Sequence, residues 1–122
     1  MFRVENGILF LTRGDDATVP VTLRIRGEPY EMQDGDVLRM TVKRFGAEQP
    51  AFFVESESPE LSIGHALTEG LDFGKYDADI ELRTWDDKVY TVFPKKDTLS
   101  DKQLLGLKPL ENFWLCAEVT EA

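Results

Sequence analysis

The feature that most constrains the fold is a strict alternation of apolar and polar residues from 19 to 26. Val19, Val21, Leu23 and Ile25 hold one set of positions, and Pro20, Thr22, Arg24 and Arg26 hold the other. Successive side chains of a β-strand point to opposite faces, so this pattern is typical of a strand with one buried face. Pro20 has no backbone N–H to donate, so we expect a free strand edge near the start.

The same period of two recurs further along the chain. Residues 37–44 place Leu38, Met40 and Val42 on one face, and residues 76–85 do so with Ala78, Ile80 and Leu82. Apolar runs at 8–12, 51–55, 89–93 and 112–120 indicate further strands, and residues 86–88 form a tight hairpin connection. Residues 61–71 are ambiguous between a short strand and a helical turn around 65–67.

About seven short strands separated by turn signals predict an all-β fold. We interpret it as an antiparallel immunoglobulin-like β-sandwich that forms a single domain over residues 1–122. The predicted core contains Val19, Val21, Leu23, Ile25, Leu38, Met40, Val42, Ile80 and Leu82. One short helix is predicted near 100–106, because Ser100 and Gln103 have capping-box spacing and Gly106 follows them.

Composition limits the partners and the location. The chain has 122 residues, and its 23 acidic residues against 14 Lys and Arg give a formal charge of −9. Such a surface repels nucleic-acid backbones and anionic membranes, so we expect neither as a partner. The single cysteine, Cys116, allows no internal disulfide, and no apolar stretch approaches the about 20 residues of a membrane helix. The first residues do not resemble a signal peptide, so we expect the chain to be cytoplasmic at synthesis.

The residue types predict neither a catalytic centre nor a cofactor. His65 is the only histidine, so any Ser-His-Asp or Cys-His arrangement would need it. Cys116 lies in a predicted strand beside Trp114, where a small buried hydrophobe is its more common role. The sequence has no glycine-rich phosphate loop and no Cys/His spacing for zinc.

Two further patterns have both a chemical and a structural interpretation. Asp77, Asp79 and Glu81 share one strand face and are candidate ligands for a hard cation. Strand spacing holds such carboxylates roughly 7 Å apart, so we expect no metal site and a solvated surface paired with bases on other strands. The tripeptide at residues 13–15, Arg-Gly-Asp, is one that integrins recognise, but we interpret it as a structural corner between two strands.

The aromatic residues Tyr76, Trp85, Tyr90 and Trp114 are candidates for a sugar-stacking platform. Aromatic side chains of a small sandwich more often belong to its core.

Residues 95–111 form a polar stretch with embedded leucines. These leucines are Leu99, Leu104, Leu105, Leu107 and Leu110. Either they cap an open end of the sandwich as ordinary core, or they form an apolar patch that binds a neighbouring subunit. We favour the cap, because a run of 17 residues (95–111) that returns to the last strand has little room to stand away from the body.

Several stretches, taken in order, carry a resemblance to a known family. They are Leu11-Thr12-Arg13-Gly14-Asp15 followed by Ala17-Thr18-Val19, Asp34-Gly35-Asp36-Val37-Leu38-Arg39-Met40-Thr41-Val42-Lys43, Gly74-Lys75-Tyr76-Asp77-Ala78-Asp79-Ile80-Glu81-Leu82, Tyr90-Thr91-Val92 and Glu118-Val119-Thr120. In this order they resemble small prophage-encoded proteins similar to the N-terminal domain of the phage baseplate upper protein. Residues 95–111 are an insertion relative to that pattern.

The resemblance implies a phage or prophage structural protein, associated with a tail or baseplate, that binds other phage structural proteins or itself. It implies no catalytic residues, and it makes the virion a further location. The alternative function is a carbohydrate-binding or other small-ligand-binding β-sandwich module.

Overall fold

The computed structural model describes residues 2–117 of the chain, which are mostly β. The strands are β1 (Phe2–Glu5), β2 (Ile8–Thr12), β3 (Ala17–Pro20), β4 (Arg24–Ile25), β5 (Glu28–Pro29), β6 (Val37–Lys43), β7 (Phe52–Ser56), β8 (Glu60–Ile63), β9 (Gly74–Arg83), β10 (Val89–Phe93) and β11 (Phe113–Cys116). One α-helix, α1 (Asp101–Leu104), and 3₁₀ turns at His65–Leu67 and Lys96–Thr98 complete the elements of this part of the chain. Strands β2, β6, β7, β9 and β10, the helix and the hairpin at 86–88 fall where the sequence patterns predicted them, and residues 61–71 contain both a strand end and a helical turn. Strands β1 and β5 were not predicted, and the strands of residues 2–117 number eleven instead of about seven. The predicted end of the last strand, residues 118–120, lies outside the described residues.

Seven of these strands form one sheet, in the order β1-β2-β11-β9-β6-β7 with β10 also paired to β9. The long strand β9 is the centre of this sheet. One of its edges pairs with β6, and the other pairs first with β11, at Tyr76, and then with β10, at Leu82. The connection from β10 to β11 therefore leaves and rejoins the same edge of β9.

The sheet is mixed, so the predicted antiparallel pairing is correct for every strand pair of residues 2–117 except one. Strands β2 and β11 run parallel, with Trp114 opposite Phe10. A parallel pair cannot be joined by a tight hairpin and needs a long connection. Most of the chain lies between β2 and β11 in the sequence. This long connection leaves the two strands free to run in the same direction.

The alternating stretch that opened the sequence analysis is two short strands in two ribbons. Strand β3 pairs with β8, and β4 pairs with β5. The Val21 N–H donates to Pro59 O, whereas Leu23 O accepts from the Tyr30 N–H, so the backbone changes partner between these residues. The predicted single strand is therefore wrong, but its alternation is correct: Val19 and Leu23 are buried, while Val21 and Ile25 are half-buried against the core.

One hydrophobic cluster joins the large sheet to the β3–β8 ribbon. Its buried members are Leu9, Leu11, Val19, Leu23, Leu38, Met40, Val42, Phe52, Leu61, Ile63, Tyr76, Ala78, Ile80, Leu82, Phe113 and Leu115. The predicted inward residues of β6 and β9 all belong to it. Within residues 2–117, no helix is both long enough and apolar enough to cross a membrane.

Candidate partner-binding surface

The leucine-containing stretch between β10 and β11 is organised around α1. Specific hydrogen bonds define both the start and the end of this helix. Ser100 Oγ accepts from the Gln103 N–H at 3.3 Å, and Gln103 Oε1 accepts from the Ser100 N–H at 2.9 Å, so the predicted capping box is present. After this single turn, Gly106 adopts a φ of 73°. The Leu107 N–H then donates to Lys102 O at 2.8 Å, which is the long hydrogen bond of a Schellman motif.

The same stretch is fastened to β9 where it returns to the sheet. Asp77 Oδ1 accepts from the backbone N–H groups of Leu110, at 2.9 Å, and Glu111, at 3.0 Å. Asn112 is buried and forms two hydrogen bonds with the Ala78 backbone, at 2.7 and 2.9 Å. Gln103 Nε2 also donates to Pro109 O at 3.1 Å, which ties α1 to this return. The stretch is therefore a fixed part of the surface.

The structure separates the five candidate leucines into two groups. Leu99 and Leu110 are half-buried. Leu104, Leu105 and Leu107 expose 51%, 73% and 69% of their surface to solvent. The expectation that they cap the core is wrong for these three, because the chain turns at Gly106 and the sheet supplies the core without them. We call Leu104, Leu105 and Leu107 the leucine patch.

The leucine patch has basic neighbours. Lys102 in α1 and Lys108 after the turn are exposed, and neither forms an ion pair with any residue that the structure describes. Apolar side chains framed by solvated lysines resemble the centre and rim of a protein interface.

The Arg-Gly-Asp tripeptide forms the corner that the sequence predicted. Gly14 has a φ of 82°, and its N–H donates to Thr68 Oγ1 at 2.9 Å. The Arg13 guanidinium stacks on the Phe73 ring at 3.9 Å, and it donates to Leu71 O at 3.3 Å. These contacts hold the tripeptide against the segment that follows β8.

The only histidine and the only cysteine form separate contacts. His65 Nδ1 lies 2.9 Å from Asp16 Oδ1, which also accepts from the His65 N–H at 2.7 Å. The side-chain hydrogen bond with Asp16 raises the pKa of His65, and the hydrogen bond from the His65 backbone is the main cause that lowers the pKa of Asp16. Cys116 is half-buried in β11, and its Sγ lies 3.8 Å from Trp114 O. The structure thus does not bring His65 and Cys116 together.

The acidic row of β9 lies on the outer face of the sheet. In the strand register Lys43 lies opposite Asp77 and Arg39 opposite Glu81, but no ion pair joins these side chains among the described residues. The three acids are half-buried, so the expected solvated, charge-paired surface is not what the structure shows. Asp79, opposite Thr41, has one buried oxygen without a hydrogen-bond partner. Burial and the nearby Glu81 raise the pKa of Asp79 despite Lys43 and Arg39. No group of three candidate ligands within residues 2–117 has the arrangement of a metal site.

The four aromatic candidates do not form one platform. Tyr76 is buried and packs edge-on against Phe113, whereas Trp114 lies on the opposite face and packs against Phe10. Tyr90 is half-buried in β10. Trp85 exposes 67% of its surface, so it is the one candidate that solvent reaches freely.

Sequence reasoning missed the residue that positions Trp85. Asp36 is buried and accepts hydrogen bonds from the Trp85 N–H at 2.9 Å, the Gln33 N–H at 2.8 Å and the Tyr30 hydroxyl. Burial alone would raise the pKa of Asp36, but these hydrogen bonds outweigh it and lower that pKa. The bond to Asp36 raises the pKa of Tyr30 to about 12. An Asp-Gly-Asp sequence, as at residues 34–36, is typical of a turn, but it does not indicate a contact with a distant hairpin.

Comparison of the chain with known protein families, with curated proteins and with solved structures finds no match.

Proposed function

We propose that this chain is a phage or prophage structural protein, associated with a tail or baseplate, that binds protein partners and catalyses no reaction. The observation that carries the proposal is the leucine patch. It presents three exposed leucines within four residues on a stretch that hydrogen bonds fasten to β9. Exposed apolar groups on a fixed surface are typical of a protein interface. The ordered resemblance to baseplate proteins supports the phage assignment.

The immunoglobulin-like sandwich belongs to the same proposal. Its support is that the β3–β8 ribbon adds Val19, Leu61 and Ile63 to the cluster formed by the large sheet. Two sheets that share one core are the defining arrangement of a sandwich.

A second copy of the chain is the partner that the charges favour. Residues 45–74 contain no Lys or Arg, and they expose three phenylalanines, Phe45, Phe53 and Phe73. The same segment contains Glu48, Glu55, Glu57 and Glu60, all exposed and none ion-paired with a residue between 2 and 117. One base from outside the segment, Arg39, lies opposite Glu55 and stacks on the Phe53 ring at 4.0 Å. We call these four glutamates the acidic flank. It complements the leucine patch, which pairs apolar side chains with unpaired lysines.

The leucine patch and the β7 part of the acidic flank lie on opposite sides of the central strand. The leucine patch lies in the connection that leaves and rejoins one edge of β9, whereas β7 lies beyond β6 on the other edge. A contact between two different surfaces of identical chains is head-to-tail, so it continues into a ring or a filament. Such growth suits a component of a larger particle.

Charge reversal tests the self-association. The variant Lys102→Glu/Lys108→Glu and the variant Glu55→Lys/Glu57→Lys should each be monomeric by sedimentation, because each faces like charges across the contact. Their equimolar mixture should associate, since each variant retains one native surface. The pair Glu28→Lys/Glu31→Lys, exposed and outside the acidic flank, is the matched control and should associate like the wild type. A mixture that remains monomeric while the wild type associates contradicts the head-to-tail contact.

The phage assignment has a separate test. Particles purified after prophage induction of the source strain should contain the chain, and the flanking genes should encode tail or head proteins. A chain that is absent from the particles and flanked by unrelated genes would overturn the phage assignment, whatever the purified protein does.

Trp85 favours a second candidate function, a carbohydrate-binding or other small-ligand-binding module. Its exposed ring lines a shallow depression with Gln33 and Asp34, and sugar sites often combine an aromatic face with such polar groups. A glycan array should then give binding that Trp85→Ala abolishes. An array without binding removes this candidate.

A further inference from the structure

A pocket with a basic lining lies where the β4–β5 hairpin meets β10. Its volume is about 570 Å³, within the usual range of small-molecule sites. Its charged lining consists of Arg24, Arg26, Lys95 and Lys96 against one acid, Asp97. The hydroxyl-bearing residues Thr22 and Thr91 also line it.

The charge of this pocket is opposite to that of the chain. Four cations against one anion give a local charge of +3, whereas the whole chain carries −9. None of the four bases forms an ion pair with a residue in the described range. Arg24 is held by a hydrogen bond to Gly27 O at 3.2 Å. Four like charges in one lining repel each other, and Asp97 offsets only one of them. This arrangement is therefore explained more readily by an anionic ligand than by stability.

The backbone of Arg26 provides an independent indication. Arg26 and Gly27 connect β4 to β5 with φ values of 54° and 81°. A two-residue turn with two positive φ angles favours Asn-Gly, and a side chain such as that of arginine is disfavoured at its first position. A residue kept in an unfavourable conformation points to a role for its side chain. Here that side chain lines the basic pocket.

We propose that this pocket binds a small phosphate ester that carries hydroxyl groups. Guanidinium groups bind phosphate oxygens in a forked geometry, and the lysines and threonines supply further donors. Asp97 is placed to accept from a hydroxyl of the ligand. A small ligand fits better than a nucleic acid or a membrane, because the net charge of −9 repels an extended polyanion beyond the pocket.

Calorimetric titration of the full-length chain with glycerol 3-phosphate, at constant ionic strength, tests the proposal. Binding should saturate at one equivalent, and uncharged glycerol should not bind. Arg26→Asn should weaken binding by about tenfold or more, because it removes a charged donor. The same substitution should leave the thermal midpoint unchanged or higher, since asparagine suits the turn. Lys88→Gln, which removes an exposed charge outside the pocket and outside the leucine patch, should bind like the wild type.

Four outcomes overturn the proposal. They are an absence of saturable binding, full affinity in Arg26→Asn, equal affinity for inorganic sulfate, and binding of DNA or anionic vesicles without binding of the ester. If Arg26→Asn lost binding and also had a lower thermal midpoint, the loss could come from a disturbed turn. Lys95→Gln separates the two causes, because Lys95 lines the pocket but lies outside the turn. An unaffected affinity in Lys95→Gln would then overturn the proposal as well.

Discussion

The Trp85 backbone N–H donates to Asp36 Oδ1 at 2.9 Å, across 49 residues of sequence. Asp36 is fully buried, whereas the Trp85 ring is mostly exposed. The buried carboxylate of Asp36 thus holds in place the hairpin that carries the exposed indole of Trp85.

Replacing Asp36 with asparagine should destabilise the protein by about 1–3 kcal/mol, because an amide NH₂ would face a buried donor. The aspartate accepts from Tyr30, Gln33 and Trp85, and asparagine offers only one acceptor oxygen. Urea unfolding measures the loss, with Asp34→Asn, an exposed neighbour, as the control. A difference below about 0.5 kcal/mol from the control would show that these hydrogen bonds matter little.

Stability should fall in alkaline solution as Tyr30 ionises. Its pKa of about 12 in the folded protein lies above the ordinary value of 10.0. The hydrogen bond to Asp36 therefore contributes fully below pH 10 and is lost as the pH rises towards 12. Ultraviolet titration of tyrosinate should give a step near 12 that Tyr30→Phe lacks. An identical titration at that pH in both proteins would contradict the assignment.

Gly14→Val should lower stability by roughly 1–3 kcal/mol, the usual strain of a branched residue at positive φ. The φ of Gly14 is 82°, and its N–H binds Thr68. Gly70→Val is the control, because Gly70 has an ordinary φ and open space around it. Thermal unfolding of the two variants compares them. Equal midpoints would mean that the corner tolerates a side chain.

Leu82→Ala should cost roughly 2–5 kcal/mol, because Leu82 is completely buried in the central strand. Leu105→Ala, which truncates the same side chain at an exposed position, should change stability by less than about 0.5 kcal/mol. Denaturant unfolding measures both. A small loss for Leu82→Ala would mean that the two faces of β9 are reversed.

Sequence periodicity predicted which face of a strand is buried, because burial depends on local alternation. It succeeded for Met40 and Ile80, and even across residues 19–25, where the strand itself is broken. It did not predict pairing, because pairing joins distant segments. Nothing near Phe10 specifies that Trp114 should lie beside it in a parallel strand.

The candidate surface was only partly predictable for the same reason. The capping box at Ser100 and the stop at Gly106 were visible locally, so the position of α1 followed. Whether Leu107 lies inside or outside depends on where Asp77 fastens the returning chain, which no local pattern encodes. The absence of bases from residues 45–74 was visible in the sequence, and reading charge segment by segment would have found it.

Leu107→Asp, measured by thermal unfolding and by light scattering, tests the central claim that the leucine patch is an interface. Val4→Asp, another exposed apolar position outside the patch, is the control. We predict an unchanged midpoint for the monomer and a loss of self-association that Val4→Asp does not show. A loss of several kcal/mol of folding stability, roughly the cost of burying an unpaired charge, would mean that Leu107 belongs to the core. Unchanged association would contradict the interface.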